Sequence, residues 1–292
     1  MPIKQNPFSL YDFLGYLLPG ALFLHSLSII FPQAFSALLD SSLLSLPSTY
    51  QIALTLIAAY LGGHIIGVIS SYTIETSYIR KNGHPSRKLL KHEEVKKENT
   101  HRAINRLWDF QIFLAESISK ILANNPSFKA KALDDHLIEM IERKINHYFE
   151  KDHKSSFSNE IFKDEYFHHI YHYCVEHSNN HLPKIQNYVA LYGLMRNAAC
   201  VCLITAWGLL CTSLNFKIDL TDSPSFGKLC FSLSTHNIYL AIAYLTAYSI
   251  MYLGFTKFYR RYSSEVIMAF SVTYKYSDPS HESLRRHIKA DK

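Results

Sequence analysis

Four long stretches of this chain contain no Asp, Glu, Lys or Arg: residues 13–39, 41–74, 197–216 and 229–256. A helix needs about 20 mostly apolar residues to cross a bilayer core. Segments over 10–31, 50–74, 190–213 and 237–257 meet that length. Inside a bilayer each backbone N–H must find its partner within the protein, so such segments must be helical. The competing reading is four buried core helices of a soluble fold, and four charge-free runs in 292 residues disfavour it. A cleaved leader is disfavoured for the first run. It begins after Asp12, has no small-residue cleavage site behind it, and exceeds the usual apolar stretch of about 7–15 residues.

Hydrophobic residues make up 48% of the chain and charged residues 18%, with 20 Tyr and 18 Phe. That excludes a disordered chain, a collagen and a disulfide miniature. The five cysteines stand at 174, 200, 202, 211 and 230, with no zinc-knuckle or disulfide-framework spacing.

The few charges set the orientation. The connection 32–49 has no Lys or Arg, and 214–236 has only Lys217 and Lys228, beside Asp219 and Asp222. Arg80, Lys81, Arg87, Lys88 and Lys91 follow the second run, and Lys257, Arg260 and Arg261 follow the fourth. Basic flanks stay in the cytoplasm, so both termini and the long middle are expected there. Four spans place both ends on one side, so parity agrees. The expected fold is an all-α membrane protein: four transmembrane helices with a cytoplasmic helical insert between the second and third. The expected parts are a first helix pair (1–79), a cytoplasmic domain (80–189), a second pair (190–257) and a basic tail (258–292). The expected location is the bacterial inner membrane, multi-pass.

Helical periodicity predicts three insert helices, over 86–123, 128–150 and 159–180, the last capped by Ser158. Pro183 opens the helix entering the third span. Pro19–Gly20 predicts a kink in the first span. Phe35, Leu38, Leu39 and Leu43 suit a short helix on the outer interface.

Chemistry-bearing residues gather in four places. Ala59, Gly63, Gly67 and Ser71 recur every fourth residue, a small-residue face for helix packing within the chain or for an oligomer interface. Asn197, Thr205, Gly208, Cys211 and Thr212 share the third span and are candidates to line a pore. His25 and His64 are polar residues inside the first two spans, and no carboxylate lies within any span. That disfavours proton- and sodium-coupled carriers. The basic stretch offers Arg87, Lys88, Lys91, Lys96, Lys97, Arg102 and Arg106 to an anionic ligand, against Glu93, Glu94 and Glu98. Finally, His168, His169, His172, His177 and His181 crowd one helix. His168–His172, Glu165–His169 and His177–His181 each stand at i,i+4, which can place two metal ligands on one helical face, His168 and His172 being the candidate pair; without a Cys pair or H-E-x-x-H no metal or other cofactor is expected. No Walker A, G-x-S-x-G, Rossmann or kinase motif occurs, so no enzyme is expected.

Helix pair, helical insert, helix pair and basic tail together resemble small membrane effectors of bacterial anti-phage defence. The segments Tyr11-Asp12-Phe13-Leu14-Gly15-Tyr16-Leu17-Leu18-Pro19-Gly20 and Leu191-Tyr192-Gly193-Leu194-Met195-Arg196-Asn197 carry the resemblance. The nearest functional counterpart is the channel subunit of Hailong-type systems, whose channel is restrained by a single-stranded DNA ligand. The resemblance implies an oligomeric ion channel or pore former gated by its cytoplasmic domain. Its implied partners are further copies of itself, the lipid bilayer, and a nucleotide or single-stranded nucleic acid. The alternative is a non-conducting membrane-anchored scaffold or sensor that docks a soluble partner protein.

Overall fold

The computed structural model describes residues 12–38, 47–92, 103–122, 132–153, 166–218 and 229–275. The described chain is helical apart from one short hairpin. A π-helical turn at Phe13–Leu17 leads into α1 (Leu18–Ile30), and α2 (Pro32–Leu38) follows. The helix α3 (Ser48–Ser70) passes through a second π-helical turn, Ser71–Glu75, into α4 (Thr76–Asn82). Next come α5 (Pro85–Leu89), α6 (Ala103–Leu122), α7 (Asp135–His153) and α8 (Tyr166–His177). A 32-residue helix, α9 (Leu182–Ser213), leads into β1 (Leu214–Ile218), which pairs antiparallel with β2 (Leu229–Leu233). The 39-residue α10 (Thr235–Thr273) closes the described chain.

Four helical stretches are long and apolar enough to cross a membrane: Phe13–Ile30, Ser48–Leu89, Leu182–Ser213 and Thr235–Thr273. At 1.5 Å per residue, α9 measures about 48 Å and α10 about 58 Å. Both exceed a hydrocarbon core of about 30 Å, so each must extend beyond it. Gly83 ends α4 with φ 72°, the left-handed conformation that suits glycine just past a helix.

The chain forms two compact units. The first comprises 1–82, 96–129 and 187–259; the second comprises 83–95, 130–186 and 260–292. Residues 96–129 group with the first unit rather than with their sequence neighbours in the second. The reason lies in α6. Arg80 bonds Asp109 at 2.8 Å and Lys81 bonds Glu116 at 3.0 Å, which ties α6 to α4 within the first unit.

The first unit is packed with side chains. Tyr248, Tyr252, Phe255, Ile66 and Leu209 are fully buried. Aromatic rings continue the packing: Tyr78 against Phe255 at 5.5 Å, Phe255 against Tyr259 at 5.7 Å, and Tyr192 stacked on Tyr259 at 5.3 Å. Outside this core, α3 presents Ile52, Leu56, Ile57, Leu61, Ile65 and Val68, all exposed. An exposed apolar face of that length suits lipid or another chain, not water.

The second unit has its own core of Leu89, Leu90, Ile141, Ile145, Ile170, Ile185, Ile267 and Phe270. The backbone N–H of Leu133 donates to the Leu89 carbonyl at 3.0 Å. Tyr148, Tyr173, Phe270 and Tyr274 meet with ring centroids 5.3–5.8 Å apart. His147 Nδ1 lies 2.7 Å from the Tyr274 hydroxyl.

Within the insert, residues 132–134 are not helical, so the second expected helix begins at Asp135 and not at 128. The described helices there are 103–122, 135–153 and 166–177, with α5 standing apart ahead of them. Ser158, Leu39 and Leu43 lie outside the described residues. The hairpin between the third and fourth spans was not expected. Its signal was the alternation Leu214, Phe216, Ile218 and Leu229, Phe231, Leu233, period two on either side of a Pro- and Gly-containing link.

Candidate functional site

The small-residue face of α3 is used within the chain. A Cβ on Gly20 would fall on the Ala59 carbonyl, and one on Gly63 would fall on the Tyr16 carbonyl. Both positions therefore require glycine for backbones to approach. Gly67 sits 3.3 Å from the Tyr16 ring and 3.8 Å from the Asn197 amide, measured from an added Cβ. Ser71 Oγ donates to Glu75 Oε2 at 3.5 Å. Ala59, Gly63 and Gly67 thus hold the first two spans together.

Asn197 sits where three spans meet. It is buried, at 1% exposure. Its Nδ2 donates to the Gly15 carbonyl at 2.7 Å, in the first π-helical turn. Its Oδ1 accepts from Ser70 Oγ at 2.5 Å, immediately before the second π-helical turn. A π-helical turn shifts the regular ladder by one residue and frees backbone groups for such partners. The neighbouring Arg196 pairs with Glu75 of the second turn, at 13% and 16% side-chain exposure. The guanidinium also lies 5.6 Å from the Tyr192 ring centroid. Two π-helical turns are therefore clasped by consecutive residues of α9.

Beside this clasp, Tyr16 stacks on His64 with centroids 4.0 Å apart and planes at 19°. Tyr60 meets the same imidazole edge-on at 4.6 Å. The imidazole itself is on the exposed side of α3, and His25 is exposed on α1.

The other pore candidates lie along α9. Thr205 is buried and donates to the Val201 carbonyl at 2.8 Å. Gly208 faces Ile30, whose side chain an added Cβ would meet at 2.6 Å. Thr212 is half-buried, donates to the Leu209 carbonyl at 3.1 Å, and accepts from Asn237 at 3.5 Å. Of the five, Cys211 alone is exposed on its own chain.

Three of the seven basic candidates, Arg87, Lys88 and Lys91, have described side chains. Lys91 pairs with Asp135, and Arg87 and Lys88 are half-buried on α5. Lys96, Lys97 and Arg102 lie outside the described residues, as does the Arg106 side chain. In the same unit, His92 Nε2 lies 3.3 Å from Glu142 Oε1. Burial, reinforced by Arg87, holds His92 below its ordinary pKa. Burial, then Glu139, pushes the Glu142 carboxyl up. Burial also pushes the Cys174 thiol up to about 12, so it is an inert apolar group.

Sequence reasoning singled out Asn197, Gly67 and His64 but not Gly15, Ser70 or Glu75. Gly15, Tyr16 and Asn197 do lie in the two segments that carry the resemblance. Glu75 also offered a cue, as the first carboxylate after a charge-free run. No protein-family model, curated protein or solved structure matches this chain.

Proposed function

We propose that this chain assembles into an oligomeric ion channel or pore-forming effector of the bacterial inner membrane, opened and closed by its cytoplasmic part. The observation that carries the reading is His64. It is a titratable side chain on the exposed face of a membrane helix, within an otherwise charge-free run of 34 residues, 41–74. Ionisable groups at such depth face a neighbouring helix or water rather than lipid. Tyr16 of the neighbouring helix covers one face of the imidazole, yet the residue remains exposed, so the reading places a second copy or an aqueous path against its open side. The first unit's interior is filled by Tyr248, Tyr252, Phe255 and Asn197, which supports a path between chains rather than through one. Asn197 and Thr205 then act by fixing helices, and Cys211 is the pore candidate nearest to a free surface.

In this reading the basic residues after the second span receive an anionic ligand, a nucleotide or single-stranded nucleic acid, and the setting is anti-phage defence. That part rests on the charge pattern and on the resemblance. The ion pairs of Arg80, Lys81 and Lys91 favour the second reading, a non-conducting scaffold, because they already satisfy part of the basic surface.

The test is His64→Cys in a Cys211→Ser, Cys230→Ser background, in membrane vesicles. Modification by a charged, water-soluble thiol reagent, or an interchain disulfide, supports the reading. A thiol that reacts only with membrane-soluble reagents and never cross-links contradicts it.

A further inference from the structure

The histidine-rich α8 sorts into two groups. Three histidines have protein partners. His169 meets the Phe149 ring edge-on at 5.9 Å. His177 stacks on Tyr173 at 4.4 Å, with Nδ1 3.1 Å from the Tyr173 carbonyl oxygen. His181, just beyond α8, places Nδ1 3.0 Å from Glu265 Oε1. His168 and His172 are both exposed and differ in that each turns its imidazole toward the other, with Tyr171 edge-on to the His172 ring at 5.5 Å. Their Nε2 atoms are 3.0 Å apart, with ring centroids at 4.4 Å and planes at 83°.

Two imidazole nitrogens this close share either one proton or one cation. At metal–nitrogen bonds of about 2.0–2.1 Å, a 3.0 Å base closes a triangle with an apex angle of about 91–97°, near the cis angle of about 90° in square-planar and octahedral coordination. A tetrahedral centre needs the nitrogens about 3.3–3.4 Å apart. Tetragonal nitrogen sites suit Cu(II) and Ni(II) rather than zinc. The backbone that sets the spacing is anchored within its unit. Ile170 and Cys174 are fully buried on the opposite side of α8, and Phe167 and Tyr171 pack on Tyr262 at 5.7 and 6.1 Å. No third His, Cys, Asp or Glu completes a set among the described residues, so the pair alone would supply the protein ligands.

We propose that His168 and His172 form a surface chelate for one divalent transition-metal ion of tetragonal preference, Cu²⁺ or Ni²⁺. The site stands independently of the channel reading. It gives the second unit a ligand-binding function of its own.

The test uses the untagged full-length protein in detergent, titrated with NiCl₂ by calorimetry. Binding of the second imidazole is intramolecular once the first is bound, so either His168→Ala or His172→Ala should weaken one site by about tenfold or more. The double variant should lose that site. Cu²⁺ bound at one equivalent should show two-nitrogen coupling in its paramagnetic resonance spectrum, lost in the double variant. Both residues are exposed, so circular dichroism should be unchanged. Equal stoichiometry and affinity in the double variant would overturn the site. Zn²⁺ binding more tightly than Ni²⁺ would overturn the geometric assignment.

Discussion

The Asn197 amide donates to the Gly15 carbonyl at 2.7 Å, across 182 positions of sequence. The same side chain accepts from Ser70, so one buried amide joins three membrane-length helices. Asn197→Leu keeps the volume and removes both bonds. Leaving buried polar groups unpaired costs about 1–3 kcal/mol. The expected result is a lower melting temperature in detergent and no loss of helical content. An unchanged melting temperature contradicts the clasp.

Glycine substitutions should separate close approach from open space. Gly63→Ala places a methyl on the Tyr16 carbonyl and forces the first two spans apart. The expected cost is about 1–3 kcal/mol. Gly193→Ala meets nothing within 4 Å, and alanine is the better helix former by about 1 kcal/mol. It should be neutral or stabilising. Thermal unfolding of the two variants in one detergent checks the contrast, and equal effects contradict it.

The four helices long and apolar enough to cross a membrane were legible because the absence of charge marks them. Runs 13–39 and 41–74 gave the first pair directly. The packing role of Ala59, Gly63 and Gly67 was also legible, since small residues four apart form a face whatever they pack against. Which partner they meet was not, because Gly20 and Tyr16 belong to another helix. The π-helical turns left no local trace: Phe13–Leu17 and Ser71–Glu75 read as ordinary apolar helix. The placement of α6 depends on Arg80 reaching Asp109, a tertiary pairing that periodicity does not encode. In α8 the i,i+4 spacing was plain, whereas the 3.0 Å approach of two nitrogens required rotamers.

The Arg196–Glu75 pair should couple measurably because both side chains are largely shielded. Removing one partner leaves a charge poorly solvated. Glu75→Gln and Arg196→Gln should each destabilise by about 2 kcal/mol, and the double variant by less than their sum. A double-mutant cycle read by thermal unfolding checks this. Strict additivity would show that the pair contributes no coupling.

His92 gives the second unit a defined pH response. Burial, then the Arg87 charge, disfavours its cation and holds its pKa below 6.5. Glu142 faces it from α7. As pH falls, the unfolded chain takes up this proton before the folded one. The His92 contribution to stability is therefore full above 6.5 and is lost as pH drops through the folded value. Imidazole resonances should show His92 titrating below 6.5, and Arg87→Gln should move it upward. Titration at or above 6.5 in the unsubstituted protein contradicts the assignment.

Conduction is the central claim, and potassium efflux from liposomes tests it most directly. The protein is reconstituted, its oligomeric state verified, and release followed with and without nuclease treatment. The account predicts efflux well above protein-free vesicles in at least one arm, and a difference between arms if a nucleic-acid ligand sets the gate. Assembled protein that releases no potassium in either arm contradicts the channel and leaves the scaffold.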